Sequence, residues 1–479
     1  MKMEKMSAQA ASWRQRFHLM PPRGLMNDPN GLVWFDGAYH VFYQWHGDSC
    51  RHGLKSWGHY ASPDLVNWRS LPPALTPEHD YESHGCYSGS ALVDGDDLLL
   101  LYTGNVRLGN GERASYQCLA RSTDGVRFAK RGPVLSAPPS GFTQHFRDPK
   151  VWREGDDYFM VMGAQTVQEQ GTVLLYRSDT PSSWHLVGDL LPVRDNGYMC
   201  ECPDFFRLNG MDMLLFCPQG RQPEGNRFQN RYPSGYVAGR ADLATATFEH
   251  DAFDELDRGF DFYAPQTMLD PGGRRILFGW MGLPEEEETP TVDDGWSHCL
   301  TLPRVLEWRE GRLWQQPPVE LQALRGPVVA HGRHSLDGEL SLPGLVGECF
   351  ELECEIEPGE ASRCGIDVRA GGDAFTRIEF DSANATLRLD RRASGTGASG
   401  VRTSPPLGRE RLRLRVFVDC SSIEIFVNDG EQVFTARIYP PAGAEAIRFF
   451  SAGAAVLNEV RFWSMACARE SAAGLEIAA

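Results

Sequence analysis

The chain has 479 residues, 42% of them hydrophobic and 23% charged, which is too long for one ordinary core and too apolar for a disordered chain, so two folded domains are expected. A formal net charge of −17 argues against nucleic acid, whose phosphates need a basic face, and against anionic membranes. No stretch reaches the ~20 apolar residues of a membrane span.

Residues 1–15 read as an N-terminal extension, and Met1 to Phe17 carries Lys2, Glu4, Lys5, Arg14 and Arg16 in place of an apolar leader. A cytoplasmic location is therefore expected. The 12 cysteines are scattered and read as reduced thiols. His40, His46, His52 and His59 lie close together but form no ligand motif, so no metal is expected.

From residue 16 a unit of strand, tight turn and strand recurs. It appears as GLVWFDGAYHVFYQ from Gly31, SALVDGDDLLLLYTG from Ser90 and DPKVWREGDDYFMVMGA from Asp148. It returns as PDFFRLNGMDMLLFCPQG from Pro203 and PQTMLDPGGRRILFGWM from Pro265. The turn glycines Gly37, Gly95, Gly155, Gly210 and Gly272 set a period of roughly 60 residues, enough for the four strands of one propeller blade. Connections rich in Gly, Pro, Asp and Asn leave no room for the long helices of an α/β fold. The fold class is all-β, with a five-bladed β-propeller over residues 16–324. Residues 325–340 are Gly-rich and read as a linker. Residues 341–467 show period-two alternation around an Asn428-Asp429-Gly430 turn and read as a β-sandwich, and residues 468–479 as a tail.

Asp28, Asp148 and Glu201 precede the first apolar run of their units, nine, seven and nine positions before Gly37, Gly155 and Gly210. Each has a proline at or near the next position. Inner strands line a propeller's channel, so the three acids are expected to converge at one mouth of it. Glycoside cleavage needs such a set: a protonated acid for the leaving oxygen, an ionised nucleophile or base, and an anion to stabilise positive charge on the sugar ring.

Met26-Asn27-Asp28-Pro29-Asn30-Gly31, with Phe42-Tyr43-Gln44 downstream, resembles the signature of glycoside hydrolase family 32, the invertases and fructan hydrolases. In the family's order follow Trp57-Gly58-His59, Tyr87-Ser88-Gly89-Ser90-Ala91, Phe146-Arg147-Asp148-Pro149 and Glu201-Cys202-Pro203-Asp204. After these come Asp261-Phe262-Tyr263-Ala264-Pro265-Gln266, Gly279-Trp280-Met281 and Leu302-Pro303-Arg304. The segment from Ser421 to Pro440 looks like the family's sandwich signature, so the resemblance runs over residues 15–465.

The resemblance implies a propeller with an appended sandwich, and a retaining β-fructofuranosidase of the invertase or sucrose-6-phosphate hydrolase type. Asp28 would be the nucleophile, Glu201 the acid/base and Asp148 the transition-state stabiliser. Retention through a covalent intermediate puts Asp28 and Glu201 about 5–5.5 Å apart. Asn27, Gln44, Trp57, Tyr87, Ser88 and Arg147 inherit substrate contacts, Trp57 as a stacking face. Two positions depart from the pattern: Leu25 stands where many relatives carry Trp, and Tyr87 where Phe is common. The substrate is expected to be a small sugar: sucrose, sucrose 6-phosphate or a short fructo-oligosaccharide. No cofactor is implied. Fructosyl transfer and exo-hydrolysis of short fructans would use the same carboxylates. A non-catalytic carbohydrate-binding propeller would have lost one of them. Two basic groups, Arg51 with His52 and Lys55, and Arg227 with Arg231, are the candidates for receiving a phosphate.

Overall fold

Each expected hairpin forms, and four of them turn through the expected glycine in the left-handed region: Gly37, Gly95, Gly155 and Gly210 have φ of +77°, +62°, +64° and +82°. In the fifth the left-handed residue is Gly273, one beyond the expected Gly272. The reason is local: Asp270 closes this turn, its carbonyl accepting from Gly273 N–H at 3.0 Å and its side chain from Arg274 N–H at 2.7 Å.

The computed structural model describes residues 13–109, 111–192, 196–284, 289–407 and 411–468. Most of the expected N-terminal extension and C-terminal tail, residues 1–12 and 469–479, therefore lies outside the described residues.

Five antiparallel sheets form the blades, with inner strands Gly24–Phe35, Cys86–Asp94, Phe142–Glu154, Met199–Leu208 and Tyr263–Leu269. These strands touch one another in ring order, the fifth against the first. The ring is also tied by the chain itself: Trp296–Ser297, between the second and third strands of blade five, returns parallel to Gly24 and Leu25 of blade one.

Apolar side chains collect between neighbouring blades. Phe35, Phe42, Trp57, Leu100 and Tyr102 fill the seam between blades one and two. Met160 and Leu101 lie in the next seam, Val161 and Phe216 in the third, Leu215 and Leu277 in the fourth, and Met26 and Ile276 in the closing one. Because hydrophobic burial is met in the seams, polar groups can occupy the axis.

The C-terminal strands form one curled sheet around a single core that includes Leu352, Ile366, Ile378, Val416, Ile425 and Phe449. Both layers of the sandwich share the 20-residue strand Ala446–Met465, which pairs with Phe350–Glu357 at one end and Arg363–Gly371 at the other. Residues 325–340 are not a linker. They form Arg325–His331 and Glu339-containing His334–Leu340, both hydrogen-bonded to that same long strand. Their partners lie more than a hundred positions ahead, beyond the reach of a local composition reading.

The domains meet across buried charge. Arg304, fully buried, donates to Asp257 at 3.0 Å, Glu424 at 2.7 Å, Thr435 Oγ1 at 2.6 Å and Gln315 at 3.0 Å. The N-terminal segment enters the same junction, where His18 lies 2.8 Å from Asp419 and 3.1 Å from Glu424. Burial alone would lower the His18 pKa, but the bonds to Asp419 and Glu424 override it and raise it from 6.5 to about 9. Stability from this group is full below pH 6.5 and is lost as pH rises through about 9. The midpoint of thermal unfolding is expected to fall across that interval and to fall less steeply in His18→Gln; identical slopes would contradict the assignment.

Candidate active site

Each inner strand carries a bulge where it passes the axis. The ladder slips between Met26 and Pro29, Tyr87 and Gly89, Arg147 and Lys150, Glu201 and Asp204, and Tyr263 and Gln266. In blades three to five the slip falls on a residue with positive φ followed by proline: Asp148 at +64°, Cys202 at +49° and Ala264 at +48°. Proline lacks the N–H that a regular ladder needs, which favours a bulge there. Non-glycine residues held left-handed cost of order 1–3 kcal/mol each and cluster at functional sites.

The bulges separate two layers. Just before them, Arg147, Glu201 and Tyr263 occupy equivalent positions and bond to one another. Arg147 donates to Glu201 Oε1 from Nε at 3.0 Å and Nη2 at 2.6 Å, and Tyr263 OH donates to Oε2 at 2.7 Å. Just after them lies a structural layer, in which Lys150 donates to Asp204 at 2.9 Å and Gln266 to the Gly89 carbonyl at 2.9 Å. Glu201 is thus one residue out of step with Asp148, whose counterpart in blade four is Cys202. Spacing to the turn glycines suggested equivalence because it does not register a bulge.

Asp28, Asp148 and Glu201 line one cavity of about 200 Å³, together with Asn27, Gln44, Tyr87, Ser88 and Arg147. Ser88 donates to Asp28 Oδ2 at 2.5 Å and Asn27 to Oδ1 at 3.0 Å, so both oxygens are held. Asp148 Oδ2 accepts the Cys202 N–H at 3.0 Å, and the Cys202 sulfur lies 3.7 Å from it and 3.9 Å from Asp28 Oδ2. Glu201 Oε2 also accepts from Gln219 at 2.6 Å. Gln44 donates to the Cys86 carbonyl at 2.9 Å.

Trp57 is the exception among the expected residues. It is fully buried in the seam between blades one and two and does not line the cavity. Its indole N–H donates to the Tyr87 carbonyl at 3.0 Å, so it supports a wall in place of offering a stacking face. Trp280 lines the cavity instead, its N–H held by His298 Nδ1 at 3.0 Å. Leu25 is buried and away from the cavity.

The basic candidates also move. Lys55 is buried in the cavity wall, donating to Asn27 Oδ1 at 2.7 Å; burial lowers its pKa to about 7 despite the pull of Asp28. Arg227 donates to the Phe253 carbonyl and Arg231 lies over Tyr232; neither they nor Arg51 line the cavity. Tyr263 and Trp280 reach the site with no role expected of them, although both lie in family-like motifs, Asp261 to Gln266 and Gly279 to Met281. Gln219 carries no local signal at all.

Burial raises the Asp28 pKa, against the bonds from Ser88 and Asn27. Burial likewise raises Asp148 to about 7: Arg147 opposes, while Glu201 and Asp28 add to the rise. Asp148 therefore contributes stability below its ordinary 3.8, and this is lost as pH rises through about 7. Asp148→Asn is expected to raise the unfolding midpoint at pH 8 more than at pH 5 while abolishing turnover. A gain that did not grow with pH would refute the titration.

The family model described as "Glycosyl hydrolases family 32 N-terminal domain" matches residues 18–317, and the family's C-terminal model matches residues 320–464. The chain is 45% identical to a sucrose-6-phosphate hydrolase of Staphylococcus xylosus, over 93% of this chain and 91% of the relative. It is 40% identical to a raffinose invertase of Escherichia coli, over 97% and 98%. Among solved structures, a sucrose-6-phosphate hydrolase from Lactobacillus gasseri superposes with a TM-score of 0.87 at 33% identity, covering 97% of this chain and 96% of that one. A Bombyx mori family 32 β-fructofuranosidase mutant in complex with sucrose gives 0.84 at 33% identity, covering 98% of each.

Proposed function

Because the chain belongs to glycosyl hydrolase family 32, we propose that it hydrolyses the β-fructofuranosidic bond of sucrose or sucrose 6-phosphate with Asp28 as nucleophile, Glu201 as acid/base and Asp148 as transition-state stabiliser. The observation that carries the role assignment is the meeting of three differently held carboxylates in one cavity.

Asp28 is pinned at both oxygens by Ser88 and Asn27, which suits an in-line attack on the anomeric carbon of the fructosyl unit. Lys55 is bonded to Asn27 and so orients the amide that holds the nucleophile. Glu201, positioned by Arg147, Tyr263 and Gln219, delivers a proton to the glucosyl oxygen as the bond breaks. It then takes a proton from the water that attacks the fructosyl-Asp28 ester. Asp148, fixed through the Cys202 N–H, faces ring hydroxyls and offsets the oxocarbenium-like charge. Asn27, Gln44, Tyr87, Ser88 and Arg147 supply the remaining polar contacts. A cytoplasmic site of action accords with a phosphorylated sugar as substrate.

The stereochemistry of the first-formed fructose tests this mechanism. Proton NMR during the opening seconds of sucrose hydrolysis is expected to show the β-furanose before mutarotation. Initial release of the α-anomer would rule out the covalent fructosyl-enzyme, and oligofructosides outrunning free fructose would make the chain a transferase.

A further inference from the structure

The second strand of blade two ends, and the third begins, at an arginine. Asp97–Arg107 and Arg113–Ser122 are antiparallel, and their last register pair is Arg107 opposite Arg113. Like charges directly opposite across a ladder are destabilising. Neither guanidinium has a hydrogen bond or salt bridge among the described residues. This contrasts with the other arginines around the cavity and the domain junction, such as Arg147 and Arg304, which are matched by carboxylates. In a chain of net charge −17, two unmatched cations side by side are unexpected unless something anionic comes to them.

Their position says where that anion lies. Arg107 is exposed and lines the cavity that holds the three carboxylates, so it belongs to the rim. Arg113 is half-buried, and the charged and polar groups it feels are Arg147, Tyr87, Arg107 and Glu201. Arg107 is exposed where the Glu201 side chain is mostly buried, so it stands nearer solvent than the proposed acid/base, at the rim that a leaving glucosyl unit would meet. The fructosyl unit, seated on Asp28 and Asp148, lies deeper.

We propose that Arg107 and Arg113 form the receptor for a phosphomonoester on the glucosyl unit, and so set the preference for sucrose 6-phosphate over sucrose. This rests on the hydrolase reading above and adds the residues that read the phosphate. Two guanidinium forks present paired N–H donors that match phosphate oxygens, and a dianion between them removes their mutual repulsion. Lys55 is committed to Asn27, and Arg51, Arg227 and Arg231 do not line the cavity, whereas Arg107 does, with Arg113 opposite it in the ladder; His52 also lines the cavity, but burial lowers its pKa to about 3.

The test is a pair of measurements on the wild-type enzyme, Arg107→Gln, Arg113→Gln and the double variant. The first is the ratio of kcat/KM for sucrose 6-phosphate to that for sucrose. It is expected to fall about tenfold in each single variant and on the order of 10²-fold in the double, through KM for the phosphorylated sugar. The second is calorimetric binding of glucose 6-phosphate against glucose, which needs no turnover. The wild type is expected to favour the phosphate, and the double variant to lose that preference. A ratio unchanged in the double variant, or a parallel loss for both sugars, would overturn the proposal, as would equal binding of the two glucoses by the wild type. An enzyme that bound glucose 6-phosphate through these arginines but cleaved neither disaccharide would instead sink the hydrolase reading and leave the phosphate receptor standing.

Discussion

Asp28→Asn is expected to lower turnover of sucrose on the order of 10⁴-fold while the protein folds as before. The substitution keeps the size of the side chain but removes the anion proposed to form the covalent bond to the fructosyl carbon. Folding should not suffer, because burial already makes the ionised Asp28 costly, as its raised pKa records. The measurement is reducing-sugar release at saturating substrate, with thermal unfolding on the same preparation. Turnover within about tenfold of the wild type would remove Asp28 from the nucleophile's role. Lost activity with a lowered unfolding midpoint would show a structural part instead.

Arg304→Ala is expected to produce the largest loss of stability, about 3–5 kcal/mol, because it removes the guanidinium shared by two carboxylates in a dry junction. Asp257 and Glu424 both accept from Arg304, and both carboxylates are buried, with almost no surface to recover hydration. Equilibrium unfolding in urea measures the loss, and its pH dependence gives it a signature. Acids that have lost this cation can be neutralised by protonation, so the deficit relative to wild type should shrink as pH is lowered toward 4. A deficit below about 1 kcal/mol, or one that grew on acidification, would mean that the junction holds without this arginine.

The same junction reaches the active site through a short piece of chain. Asp261 accepts from Arg391 at 2.7 Å and Arg437 at 2.9 Å, both of the sandwich. Two residues later Tyr263 donates to Glu201. The sandwich therefore anchors the start of blade five's inner strand, and with it one of the groups that hold Glu201, the proposed acid/base.

Much of this was legible in the chain because hairpins are local objects. A left-handed glycine between two apolar runs describes itself within about fifteen residues, and five such units at an even spacing leave a ring of blades as the economical arrangement. Asp28, Asp148 and Glu201 stood out for the same reason, each ahead of its own hairpin with a proline one or two positions on. Eight of the nine expected site residues line the cavity, and seven of them sit on the inner strands that surround the axis, Gln44 alone coming from a second strand.

What the chain did not reveal depends on contacts between segments far apart. A bulge is a property of a strand and its partner together, so Glu201's displacement relative to Asp148 emerged only from the ladder. Trp57 carries the composition of a sugar-stacking residue, yet the seam between two blades claims its face. Residues 325–340 looked like a linker until the strand Ala446–Met465 arrived to pair with them. Gln219 and the Arg107–Arg113 pair sit in ordinary-looking strands, and ring closure alone brings them to the cavity's edge. Sequence by itself determined which chemistry is present, because residue type and local turn are written into it. Tertiary structure decided which groups face the substrate, because that follows from the closing of the ring and from the desolvation and pairing that closure imposes.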